Sequence, residues 1–199
     1  FNLSVIITFY KRKVEVDKII QELINQSLKS IQLEIIISGH EKISIKKIKP
    51  KNLNSNIKIR YIKNKKNSNA LKRNSGYKAA KYQNIVFIDD DCLPLKNFLI
   101  DYLEIFKKLN KKEIICGSVL YQQKLNNKNF YKYRQSRHYI LKKKQFSLNR
   151  KLSASKIVTM NMGLKKTKYL NGLMLFDERF GKYGFEDYEF GFRFLKNGF

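Results

Sequence analysis

The 199-residue chain predicts an α/β fold, a mostly parallel sheet flanked by helices, on three observations. Short β-branched runs alternate with longer segments at helical spacing. Two of the runs are almost wholly apolar, as strands buried on both faces tend to be. A cluster of acids closes one run where a strand should end, and in parallel sheets ligands collect at the carboxyl ends of the strands.

In chain order, residues 3–8 read as the first strand, and 14–28 as a helix carrying Val16, Ile19, Ile20, Leu23, Ile24 and Leu28 on one face. Residues 33–37 form a run that is apolar except at Glu34, and 57–62 alternate as a third strand, with a basic, Asn-rich connection between them. Residues 68–81 read as a helix with Ala70, Leu71, Tyr77 and Ala80 for packing, and 85–88 as a buried strand ended by Asp89, Asp90 and Asp91. After Pro94, residues 98–109 have helical spacing and 113–121 read as a strand. Residues 124–156 read as a polar, basic, Tyr-rich loop, 157–164 as a strand, 167–175 as a short helix and 186–196 as the last helix, with Gly198 near its C-cap. The chain opens on Phe1 and stops at Phe199 in what reads as a helix end, which predicts a piece truncated at its C-terminus.

An apolar content of 43%, with fourteen Phe and twelve Tyr, suffices for one sizeable core, so a single domain over 1–199 is expected. The net charge of +26 invites polyanions or an anionic membrane, but the joint excess of Lys, Asn and Ile is equally a coding bias. Two cysteines, Cys92 and Cys116, are too few for a disulfide scaffold and predict a reducing compartment. No run approaches the ~18 apolar residues of a membrane span, and no secretory leader pattern opens the chain.

Against forty-two basic residues stand sixteen acids, half of them in two clusters. Asp89, Asp90 and Asp91 form one; Asp177, Glu178, Glu186, Asp187 and Glu189 form the other. Clustered carboxylates repel unless a cation relieves them, and an Asp-x-Asp step at a strand end offers the hard oxygen ligands a divalent metal requires. The alternative is an Asp-rich turn capping the next helix. Glu186 and Asp187 open a helix, where the macrodipole favours ionised acids by ~0.3–1 kcal/mol; crowding and burial oppose this, which poises one of them as a base. Simple charge complementation at a surface helix is the plainer account. Gly172, Gly181 and Gly184 around this cluster suggest tight turns beside a ligand. Arg73 and Asn74 offer a fixed cation and an amide, although on composition alone they read as a solvated helix face.

Several motifs, in order, carry a resemblance: Val5-Ile6-Ile7-Thr8-Phe9-Tyr10-Lys11-Arg12, Arg73-Asn74-Ser75-Gly76, Ile88-Asp89-Asp90-Asp91, Phe176-Asp177-Glu178-Arg179-Phe180 and Gly184-Phe185-Glu186-Asp187. Together they resemble the family 2 inverting glycosyltransferases of GT-A (Rossmann-like) fold, most nearly the branch of bacterial chondroitin polymerase domains and β-1,4-galactosyltransferases. The resemblance implies a nucleotide-sugar half over about 1–122 and an acceptor-side half over about 123–199. It implies that Thr8, Tyr10, Arg12, Arg73, Asn74, Asp89 and Asp90 bind the nucleotide sugar, and that Asp91, with Asp89, holds Mn²⁺ or Mg²⁺. Asp187 would be the general base and Glu186 a positioning partner, in a single displacement onto an acceptor hydroxyl. UDP is the expected nucleotide, although Ser38-Gly39-His40 replace the family's base-binding Asp and Thr8 stands where Pro is common. A His expected as a further metal ligand would lie beyond Phe199, a place that neither His40 nor His138 occupies. The expected partners are the nucleotide sugar, a glycan or lipid-linked acceptor and, through the basic surface, the membrane's inner face from a cytoplasmic position.

Two other classes compete. A sugar-nucleotide nucleotidyltransferase would share the strand-end Asp and metal, but Thr8-Phe9-Tyr10-Lys11 lacks the glycines its phosphate loop needs. A non-enzymatic polyanion-binding module would use the charge and the Tyr- and Lys-rich segment 130–144, yet it leaves both acidic clusters unexplained and makes nucleic acid an unfavoured partner.

Overall fold

The computed structural model describes residues 1–41, 54–120, 129, 130, 132, 133, 152–168, 170, 175–181 and 184–198. Its centre is a six-stranded sheet ordered β3-β2-β1-β4-β6-β5. The strands are β1 (Asn2–Phe9), β2 (Gln32–Gly39), β3 (Ile57–Lys63), β4 (Asn84–Asp89), β5 (Ile114–Cys116) and β6 (Asn161–Lys165). The first four pair in parallel, β1 with both β2 and β4, and β2 with β3. β6 runs antiparallel to β4 and to β5. The helices are α1 (Lys13–Asn25), α2 (Asn69–Ala79), α3 (Phe98–Lys108) and α4 (Glu186–Lys196).

Side-chain alternation splits the core in two. Leu3, Val5, Ile7 and Phe9 of β1 and Leu33, Ile35 and Ile37 of β2 face α1 and α3, packing with Val16, Ile19, Ile20, Leu23, Leu99, Tyr102 and Phe106. On the other face Ile6, Ile36, Ile85 and Phe87 meet Ala70 and Tyr77 of α2 and Phe190 and Phe194 of α4. This second face also carries Ser4, Thr8, Glu34 and Ser38, all buried. Glu34 is satisfied there by Ser4 Oγ at 2.7 Å, the Lys81 N–H at 2.8 Å and Arg60 Nη2 at 2.6 Å. A buried acid so enclosed is a structural anchor.

The helix α2 lies close on the sheet because Gly76 has no side chain; a Cβ there would run into Ile6 Cγ2. Ser68 caps the helix by accepting the Leu71 N–H. The expected elements recur within two residues for β1, β2, β3, α2, β4, α3 and α4, and within three for α1. Two strands come out shorter. The strand expected over 113–121 ends at Cys116, because β6 begins at Asn161 and leaves nothing to pair beyond it: the Asn161 carbonyl takes the Gly117 N–H and its amide donates to Ser118 O. The strand expected over 157–164 starts only at Asn161, because Ile157 is buried under α4, against Gly191. The predicted loop over 124–156 and helix over 167–175 fall mostly outside the described residues, as do Gly172 and His138.

Gly76→Ala is expected to destabilise the fold by about 1–3 kcal/mol through overpacking on Ile6, measured as a lower denaturation midpoint with an unchanged slope.

Candidate active site

Strand β1 ends at Phe9 and β4 at Asp89, and Thr8 is the register partner of Asp89, so the two strand ends open side by side. Each of the three consecutive acids then does something different. Asp89 Oδ1 accepts the Thr8 hydroxyl at 2.7 Å and meets Arg73 Nη2 at 3.1 Å. Asp90, only 4% exposed, accepts the Tyr10 N–H at 2.6 Å and Arg12 Nη1 at 2.8 Å. Burial raises its pKa while those two bonds pull it back. Asp90 therefore pins the loop after β1, in which Lys11 takes a left-handed φ of 63°. Asp91 is exposed and shares Arg12, with Nη1 at 2.9 Å from Oδ2.

The second cluster reaches the first through one side chain. Arg73 is 2% exposed; its Nη1 lies 2.7 Å from Glu186 Oε1 while Nη2 holds Asp89. Burial disfavours the guanidinium charge, but Asp89 and Glu186 outweigh this and its pKa is raised. Its guanidinium also lies 5.5 Å from the centre of the Phe176 ring. The solvated helix face that composition suggested for Arg73 and Asn74 is thus corrected: both are buried, because α2 points them into the crevice. Asn74 donates to Phe176 O at 2.8 Å and Glu178 Oε1 at 2.9 Å and accepts the Phe176 N–H at 3.0 Å, so its described bonds all go to the second acidic segment.

Glu186 and Asp187 open α4 after Phe185, whose φ of 69° and the 100° of Gly184 turn the chain sharply into the helix. Glu186 is buried, and neither its Oε2 nor Arg73 Nε has a hydrogen-bond partner among the described residues. Asp187 is half-buried and accepts the Tyr188 N–H at 2.9 Å. Burial, and then the charge of Glu186, raise its pKa, with Arg73 opposing. Asp177 is held by Arg179, which lowers its pKa to about 2.

Among the described residues no three His, Cys, Asp or Glu converge as a metal-ligand group. Asp91 and Asp89 nevertheless offer hard oxygen donors of the kind that could hold a divalent cation. Both described bonds of Asp89 use Oδ1. The Arg12–Asp91 pair, about half exposed on both sides, is the kind worth only ~0–1 kcal/mol, so a cation could replace it cheaply.

Composition pointed to neither Lys72 nor Asn64. Lys72 is 1% exposed, with Nζ 5.3 Å from the Tyr10 ring centre and 2.5 Å from Asn67 Oδ1. Cations near a helix N-terminus oppose the macrodipole. Lys72 and Arg73 so placed were the available sign that anions lie opposite.

Arg73→Met is expected to cost about 3–5 kcal/mol in chemical denaturation by stranding Glu186, with part recovered in Arg73→Met/Glu186→Gln.

Solved structures share this architecture. S. aureus TarS 1-349 superposes with a TM-score of 0.63 at 14% identity over 98% of this chain and 55% of that one. TarS 1-349 in complex with UDP-GlcNAc gives 0.63 at 15% identity over 97% and 53%. The mannosyltransferase PcManGT from Pyrobaculum calidifontis, in complex with GDP-Man and Mn²⁺, gives 0.57 at 12% identity over 94% and 50%. This chain therefore spans about half the length of those it matches, and at such identities the likeness is one of fold, the GT-A type. No curated protein matches it in sequence. The family model for glycosyl transferase family 2 matches residues 4–169, and the chain belongs to that family.

Proposed function

We propose that this domain transfers a sugar from a nucleotide diphosphate sugar, a UDP-sugar, to a hydroxyl of a glycan or lipid-linked acceptor, with inversion at the anomeric carbon. The observation that carries the reading is the Arg73 bridge, which joins the strand-end acids to the acids that open α4. A polyanion-binding module gives no reason for that convergence.

On this reading Thr8, Tyr10 and Arg12 border the nucleotide and Asp89 and Asp91 face the diphosphate, while Asp90 shapes the loop that holds it. Arg73 acts by holding Asp89 and Glu186 at a fixed separation, and Asn74 by holding the Phe176–Glu178 segment. A divalent ion on Asp91 and Asp89 would neutralise charge gathering on the departing diphosphate. The acceptor oxygen bonds to the anomeric carbon as the bond from that carbon to the diphosphate oxygen breaks. The bonding pair leaves with the nucleotide, and the hydroxyl proton passes to Asp187. The orphaned Glu186 Oε2 is an acceptor suited to a second sugar hydroxyl. The Phe176–Phe180 and Glu186-Asp187 elements support the chondroitin polymerase and galactosyltransferase branch, with a nucleotide-sugar half over about 1–122 and an acceptor-side half beyond it. The charge of +26 supports work on surface glycans from the cytoplasmic face of a membrane, as a peripheral protein. No described helix is long and apolar enough to cross one.

The test is a panel of nucleotide sugars with Mn²⁺ or Mg²⁺, read by thermal shift and by release of free nucleotide. Asp91→Ala is expected to weaken metal-dependent donor binding by about tenfold or more, about 1.4 kcal/mol. Asp187→Ala should keep donor binding and lose transfer by on the order of 10²–10⁴-fold. Wild-type behaviour in both variants would overturn the assigned roles.

The base must be ionised to accept a proton, so kcat should fall as pH drops through the Asp187 pKa. Because burial raises that pKa, the acid limb should lie above the ordinary range of an aspartate, and a flat profile through pH ~4–6 would contradict it.

A further inference from the structure

Helix α4 has two apolar faces, and only one of them has a partner among the described residues. Phe190, Gly191 and Phe194 are buried, the phenylalanines in the core under the sheet and Gly191 against Ala154 and Ile157. On the other side Phe185, Tyr188, Phe192 and Leu195 are 74%, 47%, 59% and 39% exposed. Their spacing of three, four and three residues puts them on one stripe, roughly opposite the buried face. A surface helix ordinarily turns charged and polar side chains outward. Here three aromatic rings and a leucine stand there in a row. Scattered exposed apolar residues need no explanation, but a contiguous strip marks a surface that meets something. Phe185 points the same way: it is held at a left-handed φ of 69°, so neither backbone preference nor core packing accounts for a large ring at that position.

Cations rim the stripe. Lys196 is exposed next to Leu195, and Lys156 is exposed on the turn that packs against Gly191. The acids of the helix are engaged elsewhere: Glu189 accepts Arg193 Nε at 2.6 Å and Nη2 at 2.8 Å, and Glu186 is buried on Arg73. Rings flanked by lysines suit a helix lying in a membrane interface, where the rings settle at the headgroup boundary and the ammonium groups stay among lipid phosphates. The charge of +26 also selects the occupant, since a second copy would be repelled while an anionic bilayer is attracted.

We propose that the outer face of α4 docks on an anionic lipid bilayer, with Phe185, Tyr188, Phe192 and Leu195 entering the interface and Lys156 and Lys196 meeting the phosphates. The helix then lies along the membrane surface. Its first turn carries Asp187, so a lipid-linked acceptor would reach the base from headgroup level. The inference deepens the membrane part of the reading above and rests on that part; sugar transfer itself does not depend on it.

The test is co-sedimentation with vesicles of phosphatidylcholine, alone or mixed with phosphatidylglycerol. Wild type should bind the anionic vesicles at least about tenfold more tightly than the neutral ones, and Lys156→Gln/Lys196→Gln should lose about tenfold of that affinity. Phe192→Ser/Leu195→Ser should also lose about tenfold, while its transfer to a soluble acceptor stays within about twofold because both positions are exposed. The chain has no Trp, so the emission of Phe192→Trp reports on the stripe alone and should move to shorter wavelength with anionic vesicles. That of Ile100→Trp, exposed on α3 across the sheet, should not move. Undiminished binding of Phe192→Ser/Leu195→Ser, or an equal shift in both Trp variants, means adsorption by charge without a preferred face and overturns the assignment to α4. Self-association of wild type that Phe192→Ser/Leu195→Ser abolishes gives the face to a second copy and overturns it as well. If wild type binds neither vesicle, the membrane reading falls together with this inference. Wild type that docks through α4 yet transfers no sugar supports the inference and refutes the transfer reading instead.

Discussion

One buried guanidinium holds the site together. Arg73 takes Asp89 on one nitrogen and Glu186 on another, 113 residues apart in sequence from the second, and so converts two distant acidic stretches into one electrostatic unit. Each acid taken alone would repel its neighbours, and the buried arginine would carry an uncompensated charge. The fold supplies what makes this arrangement possible: a helix packed so tightly on β1 that Gly76 is needed at the contact, which leaves Arg73 no route to solvent.

The three adjacent aspartates show how a short turn divides labour. Asp89 belongs to the strand and is held by Thr8 and Arg73; Asp90 turns inward to fix the Tyr10 N–H and Arg12; Asp91 faces out beside the same arginine. A run of like charges is thereby tolerated, since every carboxylate has a cationic partner, Arg73 for Asp89 and the shared Arg12 for Asp90 and Asp91. The loop they fix carries Lys11 in a left-handed conformation and is tied to the turn after β4 through the Tyr10 N–H.

Much of this was legible in the sequence, for physical reasons that differ by element. The apolar run before Asp89 could only be a buried strand, so the acids after it had to lie at a strand end, and the pattern of α4 placed Glu186 and Asp187 at a helix start. Arg73 and Asn74 were misread from composition as solvated, because a helix with polar residues on several faces has no periodic stripe to mark which of them is inward. Lys72 was missed for the same reason. The short β5 and late β6 escaped notice because β-branched residues such as Ile157 and Val158 serve packing under a helix as readily as a ladder, and only the partner strand decides.

Because β6 runs antiparallel to β4, it leaves the chain at the end of the strands opposite the site, and described residues after it are fastened along α2. Lys166 Nζ binds the carbonyls of Tyr77, Lys78 and Ala80 at the helix end, Phe176 is clasped by Asn74 midway, and Phe180 O receives Ser68 Oγ at the helix start. This helix is therefore a ruler against which the later half of the protein is measured. Changes in sequence between those fastenings therefore leave the spacing between Asp89 and the acids that open α4 unaltered.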